Sequence, residues 1–345
     1  MTKTRDAILD HIHSLSFAAL PEDVVKATNI VIADTLACAL IGSTEAKADI
    51  VRSLQLKHFG FGGVPVWGTK EILAPIGAGM ANGYHVHCLE YACCHDAADV
   101  HSMSVIFPTV MAYADRFGRV TGKDLITALN IGNDVAVLLG LAATQGAKFY
   151  RPGVCGALGA GAAIAKLADL DGASTSEFFG LIYSQLSGTM LAHAEPGVAL
   201  PLQIAFSVRN VLTAYDMIRM TLSGPTDVFD GVFGYFNLFE VDGDALPHLD
   251  DLKTKRRTAE ISFKPFPSGR DNKKSADVLL GKSDNPMTAE QHREKFISCA
   301  MAAVQPLTRE AATALYDRML KLDNETDVSI VSNLASGVNL EEKLI

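Results

Sequence analysis

The sequence predicts a mainly α protein, most of it one large helical domain. Three observations carry this. Apolar residues recur at helical spacing through most of the first 220 positions, and runs that alternate with a period of two are scarce. With 345 residues, 48% hydrophobic and only 7% aromatic, the chain can also fill a substantial core with aliphatic side chains.

In chain order, Pro21, Glu22 and Asp23 open a helix whose apolar face runs through Val24, Ala27, Ile30, Ile32, Leu36 and Leu40, and Gly42 closes it. Thr121 is placed to cap "GKDLITALNIGNDVAVLLGLA", with Lys123 and Asp124 in the first turn. Further amphipathic runs span 155–170, 176–187, 201–220, 288–304 and 308–321. The glycine-rich "GVCGALGAGAAIAKL" lacks the preceding strand and the terminal Gly-Lys-Ser/Thr of a phosphate loop, so it is expected to be a tightly packed helix with an Ala/Gly face. "AEISFKPF" is the best strand candidate. It leads through "PSGR" into a polar loop and a new helix, with no element between them.

A formal charge of −9, from 30 Lys+Arg against 39 Asp+Glu, removes the broad positive field that nucleic acid or an anionic membrane needs. The N-terminus does not read as a secretory signal. No run is expected to span a membrane, since "IVIADTLACALIG" is cut by Asp34 and "GVCGALGAGAAIA" stops at Lys166. Cysteines at 38, 88, 93, 94, 155 and 299 show no CxxC spacing, which points to reduced thiols in a cytoplasm-like compartment.

Chemistry concentrates in "HVHCLEYACCHDAADVHSM", residues 85–103. Ligand types abound there, but H-x-H beside C-C-H is no standard zinc spacing, and no metal is expected. Proton transfer fits better. A turn between Glu90 and His101 sets a carboxylate against an imidazole, holding its tautomer and raising its basicity. The helix that begins after "HSM" points its free amides and positive dipole end at the same place, which favours an anionic substrate. His85 and His87 are expected to be core or interface residues, and His95 is divided between core and site. Tyr150 and Arg151 stand before the glycine-rich helix as a second anion-friendly feature, with surface loop as the alternative. His193 and Gln203 are polar residues set among apolar neighbours.

Together, "NGYHVHCLEY", "CHDAADVHSMSVIFPTVMAYADRFG", "TGKDLITALNIGNDV", "GVCGALGAGAAIAKLADLD", "YSQLSGTM", "SGPTDVFDGVFGYFNLFE" and "ISFKPFPSGR" resemble the MmgE/PrpD family. The resemblance runs from about the first helix to Arg270 and resumes in "NPMTAEQHREKF". It implies a helical domain with a smaller α/β lid domain, a homodimer, and cofactor-free chemistry on di- and tricarboxylic acids in the cleft between the domains. Transferred residue by residue, the family's histidine before the helix is His101, in His-Ser-Met rather than His-Pro-Gly. The aspartate opening its acidic segment is Glu90. The two following acidic positions are Ala92 and Cys93, and the threonine position is Cys94. The second catalytic histidine aligns with Tyr150, and the lysine of Lys-Pro-Leu aligns with Leu200. The strand lysine is Lys264, and the position five residues later is Gly269. The join between Arg270 and Asp271 skips most of the lid. The resulting division is 1–255 helical domain, 256–285 lid remnant, and 286–345 helices returning to the helical domain.

The function implied is a lyase or isomerase that removes a proton α to a carboxylate of a small polycarboxylic acid. Catalysis is assigned to His101, Glu90, Lys264 and Tyr150, with Glu90 orienting His101 and Tyr150 replacing the second histidine as proton donor. Substrate binding is assigned to Cys94, His95, Arg151, His193, Gln203 and Arg270. The rival expectation is a scaffold that binds such acids without turnover.

Overall fold

The structure, a computed structural model, describes residues 3–195, 197–267, 280–282 and 284–337. Arg270 and Gly269 therefore lie outside the described residues, as does part of the proposed lid remnant.

The chain opens with α1 (Lys3–Ser14), α2 (Glu22–Gly42) and α3 (Ala48–Phe59). A short antiparallel hairpin follows, β1 (Phe61–Pro65) with β2 (Ile72–Leu73). Next come α4 (Pro75–His87), α5 (Met103–Phe117), α6 (Gly122–Leu141), α7 (Arg151–Leu167) and α8 (Gly172–Tyr183). The one-turn α9 (Leu191–Ala194) precedes the long α10 (Ala199–Arg219). Two more short helices, α11 (Tyr235–Leu238) and α12 (Asp251–Thr254), lead to α13 (Ala289–Met301), α14 (Arg309–Met319) and α15 (Ser329–Ala335). The fold is mainly α, as the periodicity predicts.

Local chemistry explains the starts. Thr121 accepts from the Asp124 amide while the Asp124 side chain reaches back to the Thr121 amide, a complete capping box for α6. Thr288 and Gln291 repeat it at α13, and Thr308 caps α14. The packing that positions everything else is between α6 and α7. A Cβ on Gly132 would stand 2.7 Å from the Gly159 carbonyl oxygen, and one on Gly159 would strike the Gly132 carbonyl, so the two backbones meet with no side chain between them. Close approach carries over to α5, where a Cβ on Gly156 would meet Val105 at 2.8 Å. Helices α4 and α10 pack against this group, and α2 against α4 and α13. The last helices are tied back to the hairpin turn: the Gly68 amide donates to the Ala335 carbonyl (3.0 Å) and the Trp67 indole to Ser332 (3.1 Å).

Two expectations change, and a third gains a physical reason. "AEISFKPF" forms no strand. Residues Arg257–Glu260 make a 3₁₀ turn, and only an isolated bridge, Ser262 to Cys94, follows. The described sheet is instead the hairpin in "FGGVP", whose glycines hide the alternation that marks a strand. Finally, α2 and α6 are long and apolar enough to cross a membrane, but 72% and 89% of those stretches are covered by the protein itself. Asp34, the charged residue within the apolar run of α2, is buried in an ion pair with Lys295 of α13 at 2.6 Å.

Because the α6 and α7 backbones are in contact, Gly159→Val is expected to destabilise the protein by about 1–3 kcal/mol through overpacking. Urea unfolding checks this, and an unchanged midpoint contradicts the contact.

Candidate active site

Between α4 and α5 the chain makes a small lobe. It turns at Glu90 (φ 54°), passes Cys94 and His95, turns again at Asp99 (φ 54°) and pairs Val100 with His95 before entering α5. Two non-glycine residues in the left-handed region within ten positions mark a lobe held by its surroundings rather than by local preference.

What holds it is the segment around residue 262. Ser262 pairs with Cys94 through the backbone and donates its hydroxyl to Asp96 (2.7 Å). The Tyr91 hydroxyl donates to the Pro265 carbonyl (2.9 Å). Lys295, already paired with Asp34, donates to the Lys264 carbonyl (2.8 Å) and lies 3.8 Å from the centre of the Tyr91 ring. These contacts deliver Lys264 to the lobe, where its ammonium donates to the Glu90 carbonyl at 2.7 Å. Tyr150 arrives from the other side. Residues 148–150 run against 188–190, with the Tyr150 amide donating to the Gly188 carbonyl (3.1 Å) and the Met190 amide to the Lys148 carbonyl (3.0 Å).

The result is a pocket walled by Glu90, Asp99, His101, Tyr150, Met190 and Lys264, with Arg151 and His193 also on its lining. His101 keeps part of its surface open to the pocket while protein crowds the remainder. Its Nδ1 is 2.9 Å from the Cys93 carbonyl, an acceptor, so Nδ1 carries the proton and Nε2 is the basic nitrogen. Burial, then the Lys264 charge, lowers its pKa to about 4. The imidazole is therefore neutral near pH 7 and able to accept a proton. Burial and the negative charge of Glu90 push the Tyr150 phenol above its ordinary range, so it stays protonated.

This geometry can be set beside known proteins. The model of the MmgE/PrpD N-terminal domain matches residues 6–245. The chain belongs to the MmgE/PrpD family. Among its relatives, a cis-aconitate decarboxylase-like protein (oryM) of Aspergillus oryzae is 30% identical over 232 residues, covering 63% of this chain and 47% of the relative. Human cis-aconitate decarboxylase is 25% identical over 266 residues, 74% of this chain and 55% of that protein. The cis-aconitate decarboxylase of Aspergillus terreus is 28% identical over 201 residues, 56% of this chain and 41% of its own length. The chain thus spans about half the length of the curated relatives it matches.

Of the ten site residues expected from this MmgE/PrpD sequence, the pocket gathers His101, Glu90, Lys264, Tyr150, Arg151 and His193. The contact expected between Glu90 and His101 is replaced: the group on His101 Nδ1 is the Cys93 carbonyl, while the Glu90 carbonyl accepts from Lys264. Arg151 lines the pocket with its charge already engaged. Its Nε and Nη2 grip both Glu240 oxygens at 2.5 and 3.0 Å, and Nη2 also donates to the Gln145 carbonyl, so a buried carboxylate neutralises it. His95 is buried and bonded to Glu260 at 2.9 Å, and Cys94 faces Asp96. Both anchor the lobe instead of lining the pocket. Gln203 lies outside the pocket, against Thr189 and Gly188. His193 is exposed at the rim.

One residue expected in the core belongs beside this site. His87, the last residue of α4, has Nε2 2.5 Å from the Tyr150 hydroxyl, and its ring meets that of His101 edge-on with centroids 5.2 Å apart. Its signal was present only as H-x-H spacing. His85, by contrast, is core: its Nε2 is 3.3 Å from Arg52 Nη1, and burial with the Arg52 charge lowers its pKa to about 3.

His85, His87 and His101 are thus all held neutral by burial, His87 well below its ordinary value. Unfolded imidazoles titrate near about 6.5, so as pH falls below that value the unfolded chain binds protons that the folded chain refuses, and stability falls. Thermal unfolding between about pH 7 and pH 4.5 is expected to show a falling Tm, with a shallower fall in His85→Gln. A flat profile contradicts the neutral state.

Proposed function

We propose that this pocket transfers protons on a small di- or tricarboxylic acid, as a cofactor-independent lyase or isomerase. The single observation that carries the reading is that His101, its Nδ1 held by the Cys93 carbonyl, and Lys264 line the same pocket; burial of the imidazole favours its neutral form. A neutral base and a fixed cation are what proton removal α to a carboxylate requires. The base takes the proton, and the cation stabilises the enolate-like charge that grows on the carboxylate. The electron pair then expels a β-leaving group, hydroxide in a dehydration. Alternatively the proton returns to the opposite face, an epimerisation. In a decarboxylation the same groups work in the other order, with the carbon–carboxylate bond breaking first and a proton delivered to the carbanion. The decarboxylase names of the relatives support the acid class and favour this last branch. The protein is proposed to work as a homodimer.

A second reading, an acid-binding protein without turnover, is favoured by the Arg151–Glu240 pair, which offsets the charge of one cation on the pocket lining.

Proton NMR in deuterated water separates them. Incubated with cis-aconitate, citrate and related acids, the protein is expected to exchange or transform an α-proton. His101→Ala is expected to slow this by about 10²–10⁴. Undiminished exchange in the variant removes His101 from the chemistry, and bound acid without exchange selects the second reading.

A further inference from the structure

Behind Tyr150 stands an imidazole that the proposed chemistry has not yet used. His87 is 3% exposed and fully engaged: Nε2 meets the Tyr150 hydroxyl at 2.5 Å, and Nδ1 meets the Ser104 hydroxyl, in the first turn of α5, at 3.1 Å. A phenol is a far stronger acid than the N–H of a neutral imidazole, and the short separation suits an O–H donor. The phenol therefore donates to Nε2, and His87 carries its proton on Nδ1, toward Ser104. Tyr150 lines the pocket, and its phenol oxygen, having donated its proton to His87, keeps its lone pairs to accept another.

We propose that Tyr150 and His87 form one acid–base unit, in which Tyr150 exchanges a proton with the substrate and His87 takes up and returns the phenol's own proton. This rests on the proton-transfer reading of the pocket. In the abstracting direction a substrate C–H bond breaks and its proton forms a bond to the phenol oxygen. The phenol O–H bond breaks in turn as that proton passes to His87 Nε2. The substrate's electron pair stays on the α-carbon, delocalised into the adjacent carboxylate, and the reverse transfer protonates a carbanion. The phenol ends each half-step neutral. That matters because burial and Glu90 make a free phenolate inaccessible, which would leave a lone tyrosine a poor base.

The charge instead appears on His87. The groups facing it are His101 and Lys264, which oppose a positive imidazole, with Tyr150 and Ser104 as neutral hydrogen-bond partners and Glu90 acting on Tyr150. A substrate with two or three carboxylates supplies the negative charge that offsets this. The unit thus works only with an anion in the pocket. Tyr150 is the group that meets substrate, and His87 is its positioning and proton-holding partner.

The test measures α-proton exchange and turnover with the acids above in wild type, Tyr150→Phe, His87→Gln and the double variant. Glutamine keeps an acceptor for the phenol but cannot hold a proton. Each single variant is expected to lose on the order of 10²-fold or more in kcat with KM little changed, and the double variant no more than the worse single one. Full activity in His87→Gln, or losses that multiply in the double variant, overturns the unit while leaving the pocket reading intact. A wild type inert toward every acid sinks the pocket reading and the unit with it. Nitrogen-15 NMR of His87 in the wild-type protein covers the case of a variant that does not fold. A neutral ring protonated on Nδ1 supports the unit, and a proton on Nε2 overturns it.

Discussion

The backbone contact between α6 and α7 at Gly132 and Gly159 sets the geometry of everything that follows. With no side chain between them, α7 sits deep enough for α5 to lie against it at Gly156 and Val105, and the starts of α5 and α7 converge. His101 precedes one helix and Tyr150 the other, while His87 ends α4 between them. The chemistry thus collects where the starts of α5 and α7 meet the end of α4.

Desolvation is the second constraint, and the fold treats its buried charges in two ways. Charges that serve structure are paired: Asp34 with Lys295, Arg151 with Glu240, Asp134 with Arg256. Removing either partner of such a pair leaves an uncompensated buried charge, which makes these contacts strict even where they add little net stability. Groups proposed to exchange protons are kept neutral instead. His101 and His87 lose their charge to burial and to Lys264, and Tyr150 keeps its proton through burial and Glu90. Segment 262–265 links the two sets, since Lys295 holds the Lys264 backbone while the Lys264 ammonium reaches the lobe.

Elements specified by neighbours in sequence were legible in it. Thr121 with Asp124 announces α6, and the small-residue face of 151–167 announces a closely packed helix. Family motifs carried His101, Glu90, Lys264 and Tyr150 to a common pocket. What stayed hidden depends on partners distant in the chain. Arg151 looks like an anion binder until Glu240 is brought to it, and His95 is undecided until Glu260 arrives. His87 reads as a core histidine because it is one, buried to 3%, and only folding reveals that its neighbour is Tyr150. The strand expected at 261 failed for the same reason: its segment pairs with a lobe, not with another strand.

The central claim is the proposal that His101 is a base held neutral by burial and by the Lys264 charge, in a pocket that takes an anion, whose negative charge would raise the pKa of the ring. The direct measurement is the proton NMR titration of its ring, alone and with a saturated tricarboxylic acid that cannot react. The account predicts a titration well below the ordinary histidine value in the free protein and an upward shift when the acid binds. A ring that titrates near about 6.5, or one whose titration the acid leaves unmoved, would contradict it.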